Sequence, residues 1–131
     1  MRSKTRTVRS FRHLNAARWL ALPLFLPLAP AAQAADTWDG GGDDALWSNA
    51  TNWVGDAAPT LPASLIFAGS TRLAPTNDLP GATVTNLAFA TGAGAFTLGG
   101  LAVTLGGNIS VNAGGSVTND QTLDLPVTLG K

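Results

Sequence analysis

Three short segments decide the fold: SLIFA at Ser64–Ala68, NLAFA at Asn86–Ala90 and NISVN at Asn108–Asn112. They start at 64, 86 and 108, two equal steps of 22 residues. At that spacing Leu65, Leu87 and Ile109 fall on one column, and Phe67, Phe89 and Val111 on a second. Two columns sharing one period are what stacked coils require, because a single coil cannot bury its own inward side chains. The expected fold is all-β, a right-handed parallel β-helix or solenoid of about three coils.

The residues around these segments support strands. Apolar positions alternate at Leu65 and Phe67, at Leu87 and Phe89, at Phe96 and Leu98, and at Val103 and Leu105, which points one face of each strand inward. Glycines recur at Gly92, Gly94, Gly99, Gly100, Gly106 and Gly107, too often for stable helix and at intervals suited to tight turns. Such punctuation fits an antiparallel sandwich as well as a parallel solenoid, and the repeat favours the solenoid. Leu101, Val103 and Leu105 are expected to recur in register as Leu123, Leu125 and Val127.

Composition changes toward the N-terminus. Trp38, Trp47 and Trp53 fall within TWDGGGDDALWSNATNW, and no tryptophan follows residue 53. Residues 35–63 therefore read as a Trp-rich cap, closed by the proline-marked stretch APTLPAS, and residues 64–131 as the repeat region. The chain ends VTLGK in a strand-like segment without a polar cap, so the expectation is a repeat region that continues in a longer protein. Residues 1–34 read as a signal peptide, with a basic stretch, the apolar run WLALPLFLPLAP at Trp19–Pro30, and AQA at Ala32–Ala34 before the cleavage point. The run is shorter than the roughly 20 residues a bilayer needs, and Pro23 and Pro27 interrupt it.

Six of the eight basic residues lie in the signal peptide and all eight acids follow it. Beyond residue 34, two cations against eight acids leave a formal charge of −6. Such a surface repels a phosphate backbone, so no nucleic-acid partner is expected. The single histidine, His13, is in the signal peptide, and the remaining chain has no Cys, Tyr or Glu. A Ser/His/Asp triad, a Cys/His pair and a His or Cys zinc site are therefore excluded within it.

The run TWDGGGDDALWSNATNWVGDAAP at Thr37–Pro59, with LIFAG at Leu65–Gly69, NDLPG at Asn77–Gly81, GAFTLGG at Gly94–Gly100 and VTLGGNIS at Val103–Ser110, resembles the beginning of bacterial autotransporter-associated β-strand repeat proteins. The resemblance covers nearly all of the chain after the signal peptide. It implies an exported β-helical passenger at the cell surface or outer membrane, with further repeat segments of the same chain as partners and Sec-type machinery for export. The C-terminal β-barrel or sorting segment of many such relatives is not in these residues, so self-translocation does not carry over.

Three functional readings compete. The first is a non-enzymatic structural module that presents a surface, with a role in adhesion to extracellular glycans or proteins; it needs no catalytic, cofactor-binding or metal-ligating residue. The second is a carbohydrate-binding module in which Trp38, Trp47 and Trp53 offer flat indole faces to sugar rings beside Asp and Asn hydrogen-bonding groups, against the plainer reading of a buried cap. The third is an Asp-dependent polysaccharide lyase or hydrolase, for which Asp120, Asp124 and Arg72 are the only plausible actors, although the inferred period does not stack them. Asp36, Asp39, Asp43 and Asp44 around Gly40–Gly42 are hard oxygen ligands of the type calcium takes, but they lack the spacing of a calcium loop and read as a solvated turn. The first reading is the one expected.

Overall fold

Alternation of apolar and small polar residues produces nine strands: β1 (Asp36–Trp38), β2 (Ala63–Phe67), β3 (Thr76–Asn77), β4 (Ala82–Ala90), β5 (Thr97–Gly100), β6 (Val103–Leu105), β7 (Ile109–Ala113), β8 (Thr122–Leu123) and β9 (Val127–Leu129). The computed structural model describes residues 33–113, 115 and 117–131. Among them the only helical element is one 3-10 turn, Ala50–Asn52. The expected signal peptide lies outside the described residues, apart from Gln33 and Ala34.

The chain is all-β, and its strands pair in parallel. A larger sheet runs β1-β2-β4-β6-β9, with β7 also pairing β4, and a smaller one runs β3-β5-β8. Within the larger sheet Leu65 pairs with Leu87 and Leu87 with Ile109, while Phe67 pairs with Phe89 and Phe89 with Val111. Both columns expected from the 22-residue repeat are therefore in register. The nine-residue β4 faces two strands at once, β6 along Ala82–Val84 and β7 along Leu87–Ala90. Gly106–Asn108 separates β6 from β7, and a Cβ added at Gly107 would lie 2.3 Å from the Thr85 carbonyl oxygen, so a side chain there would collide with β4.

The inward column extends below β2. Asp36 pairs with Leu65 and Trp38 with Phe67, so the Trp-rich segment begins with a strand of the same sheet. The first turn of chain also reaches the smaller sheet, through a parallel bridge between Leu46 and Thr76. Between the sheets, Phe67 touches Trp38, Trp47, Trp53, Phe89 and Phe96 with ring centroids 5.7–6.1 Å apart. Leu65, Val84, Leu87, Leu98 and Val103 complete a core in which each is at most 3% exposed.

One expected register is corrected. Leu123 pairs with Leu98, Val127 with Val103 and Leu129 with Leu105, not with residues 22 positions earlier. Paired residues are 22 apart from Leu87 to Ile109 but 25 apart from Leu98 to Leu123 and 24 apart from Val103 to Val127. The longer connection between β7 and β8 accounts for the change. Leu101, placed on an inward column by the simple period, is 48% exposed.

Candidate functional site

The densest polar cluster lies in the loop Asp39–Trp53, between β1 and the return of the chain to its edge. Trp53 bridges Trp38 in antiparallel fashion, the Val54 N–H donates to the Thr37 carbonyl at 2.8 Å, and the Asp39 N–H donates to the Asn52 carbonyl at 3.0 Å. This return covers the free edge of β1, which would otherwise present unpaired backbone groups.

Asn52, fully buried, ties the loop together. Its Oδ1 accepts from the Gly42 N–H at 2.9 Å, and its Nδ2 donates to the Leu46 carbonyl at 3.0 Å and to Asp44 Oδ1 at 3.2 Å. Asn49 caps the 3-10 turn by accepting from the Thr51 N–H, and its Nδ2 donates to Asp43 and Asp44. Arg72, held at φ +47°, donates through Nη2 to the Gly42 carbonyl. The Leu46 N–H, then the Asn49 amide, with smaller contributions from Asn52 and from the Arg72 charge, holds the Asp44 carboxyl below the ordinary carboxylate value despite some desolvation. Nearby, the Ser48 N–H and hydroxyl both donate to the Asp78 carboxylate, at 2.9 and 2.5 Å.

Asp36 is different. It occupies the foot of the inward column beneath Leu65, its Oδ2 is buried without a hydrogen-bond partner, and desolvation raises its carboxyl above the ordinary value.

The glycan-platform reading of the tryptophans is corrected by their burial. Trp38 and Trp47 are 0% exposed and Trp53 is 1% exposed. Trp38 packs edge-to-face on Trp53 at 5.3 Å and Trp47 on Trp53 at 6.4 Å, while Trp53 Nε1 donates to the Trp47 carbonyl. No indole face is open to a sugar ring; all three pack against Phe67 in the core.

The acidic residues do not converge. Among the described residues no three His, Cys, Asp or Glu side chains are placed to hold one metal ion. Asp39 and Asp44 instead accept from the N–H groups of Gly41 and Leu46, two residues on, the local turn that Asp forms readily. Arg72 is committed to the N-terminal loop before β3, whereas Asp120 and Asp124 are exposed on either side of β8, two strands away in the smaller sheet. A shallow groove of about 320 Å³ runs between Pro80–Ala82 and Leu101–Thr104, and its lining carries no ionisable group.

Two buried amides escaped the sequence reading. Besides Asn52, Asn77 is 1% exposed, donates to the Leu101 carbonyl at 2.9 Å and accepts from the Leu79 N–H at 3.0 Å, fixing the corner after β3. Their positions in Asn52-Trp53 and NDLPG were the available signal. No family model matches the chain, no curated protein is similar to it, and no solved structure matches its fold.

Proposed function

We propose that this chain is an exported, non-enzymatic structural module: a right-handed parallel β-helix, closed at its N-terminal end by the tryptophan loop, that presents an extracellular or cell-surface face as part of an autotransporter-like passenger. The observation that carries this reading is the pair of inward columns, Leu65-Leu87-Ile109 and Phe67-Phe89-Val111, which keep one 22-residue period through three successive levels of the larger sheet. Right-handedness follows from the general rule for parallel strands joined by crossovers. A stack of this type makes a stiff rod whose outward positions are small and polar, as in the Thr83-Thr104-Thr128 column. Secretion rests on the basic, apolar and small-residue order of residues 1–34. The absence of His, Cys, Tyr and Glu after residue 34 argues against catalysis.

The cysteine-free sequence allows a direct test. Outward neighbours on adjacent parallel strands lie about 4.8 Å apart, within the Cα range a disulfide spans. The exported double variant Ile66→Cys/Ala88→Cys is expected to form an intramolecular disulfide on oxidation, and Ile66→Cys/Ser110→Cys, two levels apart, is not. Equal cross-linking of both pairs would overturn the stacked architecture. Exported chain that protease added to intact cells does not reach would overturn surface presentation.

A further inference from the structure

Asp36 is a carboxylate in a place built for an apolar residue. It heads β1 in register with Leu65, on the column that continues through Leu87 and Ile109, and its Oδ2 is buried and unpaired. Among the described residues no charged side chain contributes to its shift, which burial causes; β2, packed against it, has no ionisable residue, and the returning segment offers only Asp56, of the same sign. Left so, Asp36 costs stability whenever it is ionised.

The sequence supplies a cation at that point. Cleavage after Ala34 turns the Ala35 nitrogen into an α-ammonium one residue from Asp36, and residues 33–35 are exposed and outside any strand, which leaves the new end free to turn toward the carboxylate. We infer that removal of the signal peptide completes the fold by giving the half-buried Asp36 carboxylate, whose Oδ2 has no partner, the α-ammonium of Ala35. Processing thereby changes stability as well as location. Among the described residues, the contact it removes is the exposed, neutral bond from Gln33 Nε2 to the Thr60 carbonyl at 3.2 Å. This inference rests on the signal-peptide reading.

An ammonium beside it lowers the Asp36 pKa, and the carboxylate raises that of the amine above its ordinary value of about 8. The added stability is present between the two values. It is lost above the amine pKa, when the ammonium deprotonates, and below the carboxyl pKa.

The test compares exported full-length products. One is the parental chain, the second carries Gly-Ser-Gly-Ser inserted between Ala34 and Ala35, and Asp36→Asn is made in each background. Intact mass reads the cleavage point, and urea unfolding at pH 6 and pH 10 reads the pair. Expected are a parental product beginning at Ala35 and an unfolding constant about two- to fivefold larger for the insertion product at pH 6. That difference should vanish at pH 10 and in the Asp36→Asn pair. A product cut elsewhere or uncut would overturn both the inference and the reading beneath it. Cleavage at Ala35 with the same unfolding constants, or with a difference that persists in Asp36→Asn, would overturn the inference alone.

Discussion

Asp44 carries the N-terminal loop through hydrogen bonds that need it ionised. Its carboxylate accepts from the Leu46 N–H and from the Asn49 and Asn52 amides, and Arg72 adds a favourable charge. A carboxyl whose folded-state pKa is depressed contributes stability that is complete above the unfolded value, here 3.8, and that is lost as the pH falls through the folded-state value. The loop should therefore loosen in acid before the core does. Below about pH 3.8 the Leu46 and Trp47 amides are expected to exchange faster while those of β4 stay protected, and Asp44→Asn should flatten this acid response. Parallel acid profiles for the loop and β4 would contradict the assignment. Little of this was legible beforehand, because Asp39, Asp43 and Asp44 read as a solvated turn and nothing in the sequence singled out Asn49 or Asn52 as their partners. What separates Asn52 from the others is burial, which depends on Trp47 and Trp53 folding under the first level. The same burial decides the fate of the tryptophans, for which sequence left a sugar platform and a cap both open.

Strands β3 and β5 show how the elements fix one another. Gly100 ends β5 at φ +103°, and a Cβ added there would stand 2.3 Å from the Asn77 carbonyl oxygen and 2.7 Å from its nitrogen. Gly99, its neighbour, has nothing within 4 Å of the same added atom. Gly100→Ala should therefore cost about 2–4 kcal/mol, from the strained backbone and the displacement of a buried corner, whereas Gly99→Ala should stay within about 1 kcal/mol of the parent. Urea midpoints of the two variants check this, and equal effects would mean that the β3–β5 approach is looser than described. Both glycines stand in the Thr-Leu-Gly-Gly at 97–100, which repeats at 104–107, yet the two copies belong to different sheets and do not stack. The motif marks how a strand exits rather than where it sits. Periodicity was legible where both alternation and coil length held, on the Leu65-Leu87-Ile109 and Phe67-Phe89-Val111 columns, whereas β4–β6 partners are 21 apart and β3–β5 partners 23 apart. It failed beyond β7, since the longer connection to β8 moves every later partner by two or three residues.

At the scale of the whole molecule, stability is unevenly distributed along the stack. The lower levels bury three tryptophans and Phe67, Phe89 and Phe96 at 0–1% exposure, and the antiparallel return at Trp53 closes the edge of β1. In the 131-residue chain the corresponding inward positions of the upper levels remain open, with Ile109 at 41%, Val111 at 52%, Val127 at 38% and Leu129 at 74% exposure. In the proposed β-helix each level contacts only its neighbours and local stability is the sum of a level's own packing and its two interfaces, so opening should become easier from β4 toward β9. Native-state hydrogen exchange on the exported chain is expected to show the slowest amides in β2 and β4 and protection about 10- to 100-fold lower in β7 and β9. The expected order also predicts where added packing helps: a partner or further strand covering β7 and β9 should raise their protection toward that of β4 while leaving β2 unchanged. Uniform protection across all levels would show instead that the stack opens as one cooperative unit, and the nearest-neighbour description would then fail for this chain.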